Sequence, residues 1–187
     1  EETYHKLEKV NAVGASVAAM GLADLALYQG RFTDAVRLFE QGATADLAAK
    51  NNDSAADKLA SLAYTQWSMR RNGLAIAAAE KALAISHNVK IRFLAALVFA
   101  EAGERAKAQK LAGGLSSELQ AEAQAYGKLI EGDLALRRGD APQAVRAMTD
   151  ANKLLDTWIG RFELGRAYLE AGAFVEADSE FDRCIMR

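Results

Sequence analysis

Alanine and other small or apolar residues recur along the chain in a register that repeats five times. Each repeat has a turn position followed five residues later by alanine, and apolar or small residues come four and seven positions after that alanine. The alanines are Ala35, Ala75, Ala108, Ala144 and Ala177, which are 40, 33, 36 and 33 residues apart (75−35, 108−75, 144−108, 177−144). Spacing of i, i+4 and i+7 is typical of one face of an α-helix. The pattern predicts five helices, each beginning just after a turn.

The segment before each turn shows a matching regularity. A small residue precedes the turn by seven positions in every repeat, at Ala23, Ala63, Ala96, Gly132 and Gly165. Small residues allow two helix backbones to approach closely, so each repeat is predicted to be a pair of antiparallel helices. Glycine at the turn suits the left-handed conformation that ends a helix. Arg70 replaces it in the second repeat, where Asn72 or Gly73 is an alternative left-handed residue.

Short runs of polar residues or glycine are predicted to act as breaks between helices. They are Asn51-Asn52, Ser86-His87-Asn88 and Gly113-Gly114. Pro142, the only proline, is expected to open a second helix, where proline is tolerated. The 40-residue first interval predicts two extra helical turns or a longer loop around residues 43–56. We divide a single array over residues 1–187 into a partial repeat at 1–13 and repeats at 14–52, 53–88, 89–120, 121–156 and 157–187, the last one truncated.

Residues 164–177, LGRAYLEAGAFVEA, followed by Phe181, resemble a tetratricopeptide repeat. The other four repeats match in the same register, so the resemblance covers about residues 16–187, although the proline that often ends such a repeat is missing. It implies an all-α solenoid, a right-handed superhelix of about five helical hairpins plus an N-terminal partial-repeat helix. It also implies a non-catalytic scaffold that binds a peptide or protein segment in a concave groove. The last repeat further resembles tetratricopeptide regions of large bacterial signalling proteins, so we expect a fragment of a larger regulatory protein.

Composition supports helices and excludes several classes of function. Alanine is abundant and β-branched residues are scarce, which favours helix over strand. A net charge of −2 provides no basic field for nucleic acid. No apolar run approaches the roughly 20 residues of a membrane span. The absence of a visible signal peptide favours the cytoplasm, although the N-terminus is expected to be truncated.

Two other helical architectures fit the pattern less well. A coiled coil needs an apolar seam without glycine breaks, and this chain has a break in every repeat. A single helical bundle does not require the same small and aromatic pattern five times.

Chemistry-bearing residues are few and scattered. His5 and His87 lie far apart in sequence, and Cys184 occupies a register position where a small core residue is expected. No phosphate-binding glycine motif is present. We therefore predict no catalytic residue, metal site or cofactor. A helical hydrolase based on paired carboxylates is a weaker third hypothesis, since no such constellation is evident.

The register also predicts which residues line the groove. Positions ten, six, three and two before each turn give the predicted wall. From it we select the aromatic anchors Tyr64, Trp67, Phe93 and Phe162 and the orienting charges Asp24, Asp133 and Arg166. Phe93 and Phe162 could equally pack between helices. The alternative function is a regulatory sensor whose groove binds a small ligand or signalling peptide and controls an attached domain. Self-association through uncapped ends is a further option.

Overall fold

The computed structural model describes residues 1–186, which form eleven α-helices and no β-strand. The helices are α1 (Glu2–Leu7), α2 (Ala12–Tyr28), α3 (Phe32–Ala48), α4 (Asn52–Ser68), α5 (Asn72–Ile85), α6 (Val89–Glu101), α7 (Arg105–Ser116), α8 (Ala121–Leu136), α9 (Ala141–Leu154), α10 (Trp158–Glu170) and α11 (Phe174–Ile185). The predicted all-α class is confirmed. Among these helices, none is long and apolar enough to cross a membrane.

The chain divides into two compact units. Unit 1 is Glu1–Ala102 and holds α1 to α6, while unit 2 begins at Gly103 and holds α7 to α11. In unit 1, α2 pairs with α3 and α4 with α5, and α4 also packs against α3 and α6. In unit 2, α8 pairs with α9 and α10 with α11, and α10 packs against α9 and α8. Within each unit, successive hairpins therefore stack on one another, which is the solenoid arrangement.

The predicted left-handed turns are present. Gly30, Gly103, Gly139 and Gly172 have φ angles of 74°, 91°, 76° and 75°. Arg70 also adopts φ 61°, while Asn72 and Gly73 belong to α5, so the suggested alternatives are wrong. The turn at Arg70 has the same hydrogen bond as a turn with glycine. The Arg71 N–H donates to the Gln66 carbonyl oxygen at 2.9 Å, and at the Gly30 turn the Arg31 N–H donates to the Ala26 carbonyl oxygen at 2.8 Å.

Small residues do allow close helix approach. A Cβ built on Gly132 in α8 would lie 2.7 Å from Met148 Cγ in α9. A Cβ on Gly165 in α10 would lie 2.6 Å from Phe181 Cε1 in α11. In both hairpins the glycine of the first helix therefore faces a large side chain of the second. The predicted close approach of the two helices at a small residue is confirmed there.

The extra residues of the first interval lie in helices and not in a loop. Both α3 and α4 have 17 residues, against 14 in α5 and 13 in α6. These differences of three and four residues sum to the excess of the 40-residue interval over the 33-residue one. Pro142 lies in the first turn of α9, as predicted. The boundaries assigned to the repeats remain a prediction.

Two local expectations are wrong. Gly113 and Gly114 lie inside α7, which continues to Ser116, because glycine is tolerated in an exposed helix when nothing else interrupts it. Cys184 is only half-buried, and its Sγ lies 3.3 Å from the Trp158 carbonyl oxygen. The equivalent positions in earlier repeats are buried between helices, whereas α11 is the last described helix.

Candidate binding surface

The first helices of the hairpins in unit 1 lie side by side, with α4 between α2 and α6. Their shared surface carries part of the binding wall that the register predicts. We call it the first-helix face and define it by Met20, Asp24, Asp57, Tyr64, Trp67 and Lys90.

An aromatic pair dominates the centre of the first-helix face. Tyr64 is 50% exposed and Trp67 is half-buried, and both belong to α4. Their ring centroids are 5.4 Å apart with an interplanar angle of 47°. Spacing of i, i+3 places the two rings on the same side of the helix, where they support each other. The pair presents a fixed apolar surface to solvent.

A charged cluster connects the three helices. Lys90 Nζ of α6 lies 2.9 Å from Asp57 Oδ1 of α4. The positive charge of Lys90 also interacts electrostatically with the carboxyl group of Asp24 in α2. Burial of part of the Asp24 side chain raises the pKa of its carboxyl above the usual value, and the nearby Lys90 partly opposes that shift. Lys90 neutralises the charge of Asp57. The carboxylate of Asp24 therefore gives the cluster a net negative charge.

A cavity of about 280 Å³ opens beside Asp24. Tyr4 of α1 forms one wall, and its ring packs against Gly21 so closely that no side chain would fit there. Met20 and Lys58 line the rest. The cavity is therefore large enough for one long side chain.

The buried Lys58 ammonium is already satisfied by structural partners. Its Nζ lies 2.6 Å from Asp46 Oδ2 of α3 and 3.0 Å from Ser16 Oγ of α2. Lys58 thus joins three helices beneath the cavity and leaves no free charge for a ligand. Asp24 and Asp57 are the other charged residues that line the cavity.

The predicted charges of unit 2 pair within their own helices. Buried Asp133 accepts a 2.8 Å hydrogen bond from Arg137 Nε, and Arg166 Nη1 donates to Glu163 at 2.7 Å. Burial raises the pKa of the Glu163 carboxyl, with Arg166 opposing and Asp133 reinforcing the shift. In unit 2, Asp133 is therefore a buried partner of Arg137 and is not exposed for a ligand.

The predicted aromatic anchors differ in how exposed they are in the structure. Phe93 is only 3% exposed, so the expectation that it contacts a partner is wrong: its ring packs inside the protein. Phe162 of unit 2 keeps exposed surface, but its ring also packs 5.9 Å from Phe181 of α11. Of the seven residues that we selected as anchors and orienting charges, only Asp24, Tyr64 and Trp67 share the first-helix face.

Sequence reasoning missed Asp57 and Lys90. Both lie thirteen positions before their turn residues, 57 being 70−13 and 90 being 103−13. That shared register position was a usable signal, since residues at one register position occupy similar places on neighbouring helices. Among residues 1–186, no group of three His, Cys, Asp or Glu residues is placed to hold a metal ion.

Stacked helical hairpins with left-handed turns at this spacing define a tetratricopeptide-type fold, and solved structures agree. The chain is similar to TTC0263, a tetratricopeptide-repeat protein of Thermus thermophilus, with 20% identity, TM-score 0.61 and coverage of 91% of this chain and 90% of that one. It is similar to PilF of Pseudomonas aeruginosa, with 19% identity, TM-score 0.63 and coverage of 94% and 77%. It is also similar to a chain of the APC/C hetero-tetramer Cut9–Hcn1, with 16% identity, TM-score 0.62 and coverage of 91% and 33%. No family model and no curated protein matches the sequence.

Proposed function

We propose that the protein is a non-catalytic interaction scaffold whose first-helix face binds an extended segment of a partner protein. The observation that carries this proposal is the exposed Tyr64–Trp67 pair, which lies on the same helical surface as Asp24. Tyrosine and tryptophan contribute large contact areas and are enriched among the residues that dominate binding energy. The solved Cut9–Hcn1 hetero-tetramer supports the proposal because it shows this fold within a protein assembly.

The charges suggest what the bound segment carries. Asp57 is neutralised by Lys90, which leaves Asp24 as the unpaired carboxylate at the cavity. A lysine or arginine side chain of the partner can fill the cavity and place its charge near Asp24, while its stem contacts Met20. An adjacent apolar side chain then packs on the aromatic pair. Phe162 and Arg166 remain a second predicted contact area on unit 2.

A peptide selection tests this proposal. Random 12-residue peptides displayed on phage are selected on the full chain, and the winners are titrated against purified variants. We expect Tyr64→Ala plus Trp67→Ala to weaken binding at least tenfold, about 1.4 kcal/mol. Tyr64→Ala alone covers the case in which losing Trp67 disturbs folding.

Phe174→Ala is the matched control, since Phe174 is an exposed aromatic residue on α11 and lies off the face. Its affinity is expected to equal that of the unmodified chain. Selected peptides that bind the double variant with unchanged affinity would rule out the aromatic pair as an anchor.

The sensor hypothesis predicts a different occupant of the same face. The cavity of about 280 Å³ is at the lower limit of small-molecule sites, which span roughly 300–1,000 Å³, so it fits a side chain better than a whole ligand. A thermal-shift screen with small metabolites distinguishes the two functions, because a ligand that binds the native state raises the melting temperature without any protein partner.

A further inference from the structure

A second surface lies on the opposite side of α4. There α3, α4 and α5 surround an open groove of about 640 Å³, with Leu59, Leu62 and Gln66 of α4 on its floor. Gln66 follows Tyr64 by two residues, which rotates it about 200° around the helix axis. The groove is therefore separate from the first-helix face. We call it the α3–α5 groove.

The walls of the α3–α5 groove are apolar and open. Leu47 of α3 is 43% exposed and Leu74 of α5 is 55% exposed, although both line the groove. Both wall helices pack against α4, but within the described chain no Cα atom of α3 lies within 8 Å of one in α5. Contiguous exposed apolar surface of this kind is typical of an interaction site.

The groove floor contains an unsatisfied polar group. Gln66 is only 4% exposed, and its Oε1 has no hydrogen-bond partner among the described residues. A buried amide oxygen without a partner is unfavourable and rare in folded proteins. Rotation of the terminal amide can present either its oxygen or its nitrogen to a group that enters the groove.

We propose that the α3–α5 groove binds an amphipathic helix of a partner protein, with a polar side chain of that helix hydrogen-bonded to Gln66. The lining of α5 runs from Leu74 to Ile85, about 16 Å, which matches three turns of helix. Alanines at 43, 77, 78 and 84 line the walls and allow another helix to approach closely. Binding in this way buries the apolar stripe of the partner helix and leaves its polar face in water.

The rim charges define the partner further. Glu40 on the α3 wall and Lys81 on the α5 wall are exposed, and neither has an ion-pair partner within residues 1–186. The complementary helix therefore carries a basic residue on one flank and an acidic residue on the other. A small ligand fits less well, because such ligands are typically 70–90% buried and these walls are half open.

The test uses helix-stabilised peptides of about 14 residues as the probe. One library fixes leucine at i, i+3 and i+7 and varies the flanks among Lys, Glu, Ser and Gln; a second library scrambles the same residues. Selection on the full chain is expected to enrich only the first library, with micromolar or tighter Kd values. Leu74→Glu, or Leu47→Glu on the other wall if the first variant is unstable, should weaken the selected helices at least tenfold.

Two controls localise the binding. Leu119→Glu places the same charge on an exposed leucine of unit 2 and should leave affinity unchanged. Tyr64→Ala plus Trp67→Ala should also leave it unchanged, so this proposal can fail or succeed independently of the one above. Lys81→Glu should weaken helices with an acidic flank about two- to fivefold, as expected for an exposed ion pair.

Three results would overturn the proposal. The first is equal enrichment of the two libraries. The second is equal affinity of the selected helices for the unmodified chain and for folded Leu74→Glu. The third is a homodimer that Leu74→Glu dissociates, since the groove would then be occupied by a second copy of the chain.

Discussion

Arg70 holds a backbone conformation that glycine adopts at the other four turns. Its φ of 61° places a side chain in the left-handed region, which costs an L-residue about 1–2 kcal/mol. The hydrogen bonds that end α4 and the packing of α4 against α5 keep the turn in place. The side chain of Arg70 is exposed, so the strain is not relieved by burial.

Arg70→Gly is therefore expected to stabilise the chain by about 0.5–1 kcal/mol, because the relief of strain exceeds the added flexibility of the unfolded chain. The midpoint of urea unfolding should rise accordingly. Arg71→Gly provides the matched control: Arg71 has φ −97° and gains nothing from glycine. An equal midpoint for Arg70→Gly and the unmodified chain would show that the turn is not strained.

Lys58 carries a buried positive charge that is paired with the buried carboxylate of Asp46. Its ammonium and the Asp46 carboxylate are both buried and 2.6 Å apart. Removing one member leaves the other charged, buried and unpaired.

We expect Lys58→Met to destabilise unit 1 by about 3–5 kcal/mol. The double variant Lys58→Met plus Asp46→Leu should recover most of that loss, since no buried charge remains. Urea unfolding of the single and double variants measures both effects. If the double variant is no more stable than Lys58→Met, the loss comes from packing and not from the unpaired carboxylate.

At the scale of helices, two hairpins have a glycine in the first helix where a large side chain of the second helix packs against it. Gly132 in α8 faces Met148 of α9, which fills the space that a side chain would need. Gly113 in α7 is also helical, but apart from the local backbone of α7 nothing lies within 4 Å of its Cβ position. The same residue type thus has opposite effects at the two positions.

Gly132→Ala is expected to destabilise the chain by about 1–3 kcal/mol because it overpacks the α8–α9 contact. Gly113→Ala should instead stabilise it by up to about 1 kcal/mol through helix propensity. Thermal unfolding followed by circular dichroism compares the two. Similar shifts in both variants would show that close helix approach does not control the stability of this hairpin.

At the scale of the whole molecule, the proposed scaffold function depends on charge as well as shape. The groups that face Asp24 are Tyr4 of α1, Asp57 and Lys58 of α4, and Lys90 of α6. The raised pKa of Asp24 means that its carboxylate becomes neutral at a higher pH than an ordinary aspartate. A lysine or arginine side chain of the partner, bound near Asp24, favours the ionised form of its carboxyl group.

Affinity for a lysine- or arginine-containing peptide is therefore expected to be full above the raised pKa of Asp24. It should fall as the pH drops through that value, because protonation removes the attracting charge. Titration calorimetry across acidic to neutral pH measures the profile. Asp24→Asn should bind more weakly at neutral pH and lose most of this dependence, whereas an unchanged profile would assign the titration to another group.

The repeating pattern of the sequence was enough to predict helices, hairpins and left-handed turns. These features depend on local spacing and on backbone preferences that act within about 35 residues. The same register also placed Tyr64, Trp67 and Asp24 on one surface, because equivalent positions of neighbouring first helices lie on the same side of the stack.

Only the tertiary structure decided how exposed each side chain is, because neighbouring residues cover it to different extents. Phe93 and Tyr64 belong to the same predicted wall, yet one is buried and the other exposed, since exposure depends on residues far away in sequence. The pairing of Lys90 with Asp57 and the groove between α3 and α5 likewise depend on how helices distant in sequence pack together. The sequence therefore determined the repeating hairpin, and only the packing of neighbouring hairpins within each unit determined which surfaces are available to bind.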